Sequence, residues 1–422
     1  MRPKSSTNKL KIINDPVYGF IKIPYDIIFD LIEHPLFQRL RRIRQLGLTN
    51  YVYPGANHSR FQHAVGAMHL MGQAIEEIRS RGHEITENEA RAVTIAILLH
   101  DIGHGPFSHS LENSLVKGSS HETISLMFME QLNEFFKGEL ETAIQIFKNE
   151  YPKRFLHQLV SSQLDMDRLD YLKRDSFFTG VTEGVIGSDR IIKMLNVAND
   201  QLVVDEKGIY SIEKFLIARR LMYWQVYLHR TVVSSEQLLV MMLKRAQDLT
   251  SGGAALFATP ALEYFLKDAP GKFDPSNQVG FLKQFALLDD NDVLASAKVW
   301  CNYPDKVLSM LSDGLVNRGL FRVQLNNGPF DPSLVESMRQ KVASQLGISR
   351  EEACYLVISD SVSNFAYSDM DDRISILDKK GNIRDIAEAS DILNISVLSK
   401  TVRKYFLCFP RFLNELIDLN TI

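Results

Sequence analysis

The stretch Leu98–His109, LLHDIGHGPFSH, decides how the rest of the chain is read. It grows out of Glu87–Asp101, a segment that begins polar and ends in the apolar run IAILLH, as a helix entering a core does. Gly103, Gly105 and Pro106 stop that helix, so His100 and Asp101 are delivered at its end. The C-terminus of a helix carries partial negative charge and favours a nearby cation. His104 lies four residues after His100 and can share its face while the helix lasts. Packing gives no reason to place this polar set behind an apolar run, because buried polar groups without partners are costly. The pattern reads as a site.

The flanking sequence supports that reading. Eight of the eleven histidines fall between His58 and His121. Upstream, SRFQH supplies His63 near the start of its own helix; downstream, SSQLDMDRLDYLKRD supplies Asp165, Asp167, Asp170 and Asp175. Imidazole plus carboxylate, with no cysteine, suits a divalent first-row ion such as Mn, Fe, Ni or Zn. Such an ion acidifies water and acts as a Lewis acid toward a phosphoryl oxygen.

Around this centre the chain reads as mainly α. Lys9–Pro24 alternates apolar residues about Asp15-Pro16 and Gly19, which predicts a β-hairpin. From Tyr25 to Leu48 the spacing turns helical, with Pro35 dividing two helices. Helices are expected over Phe61–Arg79, Ser120–Phe136, Leu140–Asn149, Phe155–Phe178 and Ile212–Leu249, with a short hairpin at Asn199–Tyr210 turning at Gly208. Ser251–Ala255 reads as a loop, after which helices resume at Pro260. The last hundred residues change character: strands at Leu320–Leu325, Cys354–Ser359, Ile374–Leu377 and Val402–Phe409 surround a helix at Pro332–Leu346. The expected architecture is a helical core with an N-terminal hairpin over 1–250, a helical extension over 251–319 and an α+β subdomain over 320–422.

Composition narrows the function classes. A net charge of -3 gives no support to a whole-surface nucleic-acid binder. Cys301, Cys354 and Cys408 are widely spaced and form no framework, which suits free thiols in a reducing cytoplasm. The N-terminus has no apolar h-region, and no apolar run approaches the ~20 residues of a membrane span. The expected location is therefore cytoplasmic.

The string RQLGLTNYVYPGANHSRFQHAVG (residues 44–66), then HDIGHGPFSH (100–109), His121-Glu122, and DMDRLDYLKRD (165–175) resembles the HD-domain deoxynucleoside triphosphate triphosphohydrolases. These include bacterial enzymes and the animal SAM-and-HD restriction factor. The similarity runs from about Lys11 to Arg230, and no SAM domain is expected ahead of it. The resemblance implies a helical HD core, with His63, His100, Asp101 and Asp167 as metal ligands. It implies catalytic roles for His104 and His121, with Glu112 at an acidic position that orients His104. Arg60 would meet the α-phosphate, and Arg168 and Arg219 the outer phosphates; Arg168 replaces a Lys found in some members. Tyr171 and Asp175 would hold the sugar 3′-hydroxyl, Gln45 and Leu46 would lie beside sugar and base, and Tyr227 would exclude a 2′-hydroxyl.

The implied reaction is hydrolysis of a dNTP to deoxynucleoside and inorganic triphosphate, with one transition metal per site and Mg accompanying the substrate phosphates. Relatives bind activating nucleotides between subunits. Lys11, Asn14, Glu33, Gln38 and Arg41 match that pocket in part, with Glu33 where the animal protein has Asp. A homo-oligomer, dimer or tetramer, follows from the same resemblance. Two other readings remain open: a nucleotidase or phosphodiesterase of the HD superfamily, and a nucleotide sensor without turnover.

Overall fold

The computed structural model describes residues 11–108, 120–267, 278–364, 373–390 and 402–415. The chain opens on an antiparallel hairpin, β1 (Ile12–Asp15) and β2 (Gly19–Lys22). Asp15 closes its turn by accepting the N–H groups of Val17 and Tyr18, a turn habit of short carboxylate side chains. Helix α1 (Asp26–Glu33) ends before Pro35, which opens α2 (Pro35–Gln38) at a position where its missing N–H costs nothing. A 3-10 turn, Arg39–Arg42, follows.

Two helices form the centre. α3 (Arg60–Ser80) starts at a capping box made by Ser59 and Gln62, and α4 (Glu87–Leu99) at one made by Thr86 and Glu89. Ala92 to Leu99 of α4 are all buried, so this helix is apolar on every side, as an interior helix must be. Around the pair pack α5 (His121–Phe135), α6 (Glu141–Phe147), α7 (Arg154–Val160), α8 (Met166–Thr179) and α9 (Ser188–Lys193). A hairpin, β3 (Leu195–Ala198) and β4 (Gln201–Asp205), leads to α10 (Ile209–Met222), a π-helical turn at Tyr223–Tyr227 and α11 (Arg230–Ser251). The extension holds α12 (Pro260–Lys267), α13 (Gln278–Phe285), α14 (Asp290–Trp300) and α15 (Lys306–Val316).

The C-terminal part holds β5 (Arg322–Asn326), α16 (Pro332–Leu346), α17 (Arg350–Ala353), β6 (Ile358–Asn364), β7 (Ser375–Leu377), β8 (Ile383–Asp385), α18 (Ile386–Ala389) and β9 (Val402–Phe409). Strands β5, β9 and β6 make one antiparallel sheet. β7 instead pairs in parallel with β4, so the hairpin of the helical core becomes a four-stranded sheet ordered β3-β4-β7-β8. The fold is mainly α with small sheets, as expected.

Four expected elements are corrected. Phe155–Phe178 is two helices, because Asp165 turns its carboxylate back to cap the N–H of Arg168 and also accepts from Ser162, starting α8 afresh. The long helix over Ile212–Leu249 is interrupted at the π-helical turn, and the His229 side chain caps α11 by accepting from Thr231. The 199–210 hairpin turns at Asn199-Asp200, both left-handed, while Gly208 lies at the start of α10. The strand expected at Cys354 begins only at Ile358, since Cys354 caps α17.

Candidate metal centre and active-site cavity

Helix α4 stops at Leu99, so His100 and Asp101 stand on its C-terminal edge while α3 and α8 bring His63 and Asp167. The donor atoms of His63, His100 and Asp101 lie within 4.8 Å of one another. Asp167 Oδ1 lies 3.0 Å from His63 Nε2 and 3.5 Å from His100 Nε2. The histidine tautomers follow from the other ring nitrogens. His63 Nδ1–H donates to Asp170 Oδ2 at 2.8 Å, and His100 Nδ1–H donates to the Ile97 carbonyl at 2.6 Å. With Nδ1 so engaged, Nε2 is the atom that each ring turns toward the cluster, and the one that sheds its proton to ligate a metal. Both Nε2 atoms are buried and make no hydrogen bond among the described residues. Imidazole nitrogens facing two carboxylates could hold a divalent metal, and each Nδ1–H is held from behind as in metal-ligating histidines.

Charge in the cluster agrees. Against burial, which pulls it down, the Asp167 and Asp170 carboxylates lift the His63 imidazole from 6.5 to about 10. Against burial, which raises it, His100, Arg60 and His63 hold the Asp101 carboxyl down to about 2. The Asp101 carboxylate is therefore ionised, and the cluster favours positive charge at its centre.

Behind His63 runs a buried chain: Asp170 binds Arg174 at 2.9 Å, and Arg174 binds Asp15 of the hairpin at 2.7 Å. It requires Gly66, where a Cβ would collide with the Asp170 and Arg174 side chains. On the other side, Gly103 passes so close to α5 that a Cβ would strike the backbone of His121 and Ser125. Ser125 Oγ donates to the His100 carbonyl at 2.7 Å and accepts from Gly103 N–H at 2.9 Å.

The cluster opens into a cavity of about 620 Å³. Its wall includes Gln45, Leu46, Arg60, His104, His121, Arg168, Tyr171, Asp175, Arg219 and Tyr227, together with His100, Asp101 and Asp167. His104 and His121 stack with centroids 4.0 Å apart. His104 does not continue the helix of His100; its Nδ1 lies 3.3 Å from Asp101 Oδ1. Arg60 pairs with Asp101 and donates through Nε to Ser108 Oγ at 2.8 Å. Arg168 pairs with Asp165, and Arg219 donates to Gln163 Oε1 at 3.1 Å. The Nε atoms of Arg168 and Arg219 are buried with no acceptor among the described residues. At the Tyr171 end, Tyr227 donates to Asp175 Oδ2 at 2.8 Å, and His58 Nε2–H donates to Asp175 Oδ1 at 2.7 Å.

Glu112 lies outside the described residues. Lys11, Asn14, Glu33, Gln38 and Arg41 do not line the cavity. Lys11 sits 3.5 Å over the Phe29 ring, Arg41 sits 3.5 Å over Phe61 and donates to Gln38, and Gln38 donates to the Ile32 carbonyl. Sequence reasoning missed His58, Arg39, Ser125, Arg174, His157 and Asp290. His157 lines the cavity, and the others hold its parts in place. His58 and Arg174 lie inside strings that carried the resemblance, while Arg39 and Asp290 act through partners far along the chain.

Helical core, histidine–aspartate cluster and cavity together define the HD class of phosphohydrolases, and the chain belongs to that superfamily. Residues 60–175 match the HD domain family and residues 186–256 the HD associated region. The crystal structure of a phosphohydrolase from Bacteroides thetaiotaomicron is 57% identical, with a TM-score of 0.92, covering 95% of this chain and 100% of that one. The uncharacterized protein YwfO of Bacillus subtilis is 30% identical over 97% of this chain and 94% of its own length. A deoxynucleoside triphosphate triphosphohydrolase SAMHD1 homolog of Dictyostelium discoideum is 35% identical over 55% of this chain and 48% of its own. The chain thus matches about half the length of that relative.

Proposed function

We propose that this HD phosphohydrolase converts deoxynucleoside triphosphates into deoxynucleosides and inorganic triphosphate. The observation that carries the reading is the layout of one cavity. Arg60, Arg168 and Arg219 line it together with His100, Asp101 and Asp167 of the cluster, and two of these arginines hold buried Nε donors without acceptors among the described residues. Guanidinium forks suit a polyanionic tail. Tyr171, Asp175 and Tyr227 line the same cavity and offer hydroxyl and carboxylate groups to a sugar edge, with the Tyr227 ring as a wall against a 2′-hydroxyl. The dNTP triphosphohydrolases among the relatives support the substrate class.

When bound, a divalent transition metal at His63, His100, Asp101 and Asp167 supplies Lewis acidity to a phosphoryl oxygen and acidifies water. Arg60 holds the α-phosphate beside that cluster, and Arg168 and Arg219 hold the outer phosphates, with Mg accompanying them. His104 and His121, stacked at the cavity wall, move the proton toward the leaving 5′-oxygen, and Glu112 orients His104. We place the protein in the cytoplasm as a homo-oligomer, with Lys11, Asn14, Glu33, Gln38 and Arg41 forming an activating nucleotide site.

The test is incubation of manganese-supplemented protein with all four dNTPs together and with each alone, resolving products by ion-exchange chromatography. Deoxynucleoside plus triphosphate supports the reading, and activity only in the mixture supports activation. Release of monophosphate or diphosphate moves the protein to another branch of the superfamily. No product with manganese or iron leaves a nucleotide sensor as the better account.

A further inference from the structure

Three residues beyond His104 stand two consecutive non-glycine residues in left-handed backbone, Phe107 (φ 53) and Ser108 (φ 58). Such residues are strained and persist only where their surroundings over-determine them. Neither has the Asn or Asp side chain that eases this conformation, and both are buried. The constraint comes from the junction of α13 and α14. There Leu288 O accepts from Arg39 Nε at 2.9 Å, Asp289 pairs with Arg42, and Asp290 receives two backbone groups at once. Asp290 Oδ1 accepts from Phe107 N–H at 2.8 Å, and Oδ2 accepts from Arg44 N–H at 3.0 Å.

The two clamped strings are the ones that shape the site. Arg39, fully buried, also donates to the His104 carbonyl at 2.7 Å and to the Ile102 carbonyl at 3.3 Å. Ser108 Oγ donates to the Arg44 carbonyl at 2.8 Å and accepts from Arg60 Nε. Asp290 thus reaches Arg60 through Phe107-Ser108 and Gln45 through Arg44. It lies beyond both matched family regions, which end at residues 175 and 256.

We infer that Asp290 is a positioning residue of the active site, whose carboxylate clamps the strained Phe107-Ser108 pair to the Arg44–Leu46 segment and so sets where Arg60 and His104 stand. A carboxylate suits this task because the two N–H groups approach different oxygens. An amide offers one oxygen and turns its NH2 toward the other N–H. Burial lifts the carboxyl to about 6 against the two backbone donors, so at neutral pH the ionised, doubly accepting form prevails. Displacement of a reacting group by 1 Å costs up to about 100-fold in rate. The inference rests on the roles proposed for Arg60 and His104, and not on the identity of the substrate.

The experiment compares wild-type protein with Asp290→Asn in kcat, KM and bound metal, using dNTPs and, in parallel, a chromogenic phosphodiester. The expected result is a drop in kcat/KM of about tenfold or more, shared between kcat and KM, with metal content unchanged because no metal ligand is touched. A folded, metal-replete variant with wild-type kcat and KM overturns the inference. Hydrogen exchange on the wild-type protein covers a variant that fails to fold. Protection of the Phe107 and Arg44 amides near the global unfolding limit is expected, and exchange at the rate of open loops overturns it. If the wild type turns over the phosphodiester but no dNTP, the substrate reading fails while Asp290 is still tested.

Discussion

His63 shows how much one side chain must satisfy. Its Nδ1–H is taken by Asp170, its Nε2 faces Asp167 and Asp101, and it is wholly buried. Removing Asp167 takes one carboxylate from this set, so Asp167→Ala is expected to lose retained metal and turnover together; a fully active, metal-replete variant would defeat the assignment. Asp170→Asn leaves the four donors but weakens the hold behind His63, and metal affinity should fall about 10–100-fold, read by chelator competition. The pH dependence has a definite sign. His63 is raised from 6.5 to about 10 in the metal-free protein, so its charged form contributes stability that is complete below 6.5 and lost as pH rises through 10. Metal must displace that proton, and affinity should therefore rise roughly tenfold per pH unit through the neutral range. An affinity flat between pH 6.5 and 8.5 would show that the site does not hold the proton.

At the scale of elements, the site is built where helices end or break. α4 stops at Leu99, α8 restarts at the Asp165 cap, and the π-helical turn ends on Tyr227, whose hydroxyl reaches Asp175. π-helical turns recur at functional positions for this reason: the inserted residue re-aims the side chains that follow. The approach of α3 to α8 is equally specific. Gly66→Ala places a methyl group against Asp170 and Arg174, and overpacking there is expected to cost about 1–3 kcal/mol, seen as a lower midpoint in denaturant together with weaker metal binding. An alanine variant with unchanged midpoint and affinity would mean the two helices can separate freely.

Over the whole molecule, the helical core, the extension and the C-terminal part are joined by shared structure. β7 adds to the core hairpin beside β4, Ser234 of α11 donates to the Phe321 carbonyl at 2.8 Å, and Arg245 of α11 pairs with Asp305 and Glu352. Phe406, Leu407 and Phe409 of β9 are buried. A chain ending at residue 319 exposes the side of α11 that packs on β5 and the edge of β4, so it should melt at lower temperature than the full chain and aggregate. A truncated protein with the full chain's melting temperature would show the C-terminal part to be an independent unit. Among the described residues no helix is long and apolar enough to cross a membrane.

The amino-acid sequence by itself was enough for the helical core and the ligand candidates, because both are written in short-range signals. Apolar spacing marks α3 and α4, glycines and Pro106 mark the end at His100, and the histidines cluster within a few dozen positions. Helix α16 and strand β9 likewise lie where local pattern places them. Contacts between partners far apart in the chain were settled by folding alone. Arg174 is paired by Asp15 from 159 positions away, and Asp290 is met by Phe107 from 183 positions away. The breaks at Ser161–Asp165 and Tyr223–Tyr227 also escaped, since apolar residues continue through both and the interruption comes from capping and from packing around the cavity. Local propensity records what each residue prefers among its neighbours; a buried charge or a strained loop is settled by whichever distant group can satisfy it.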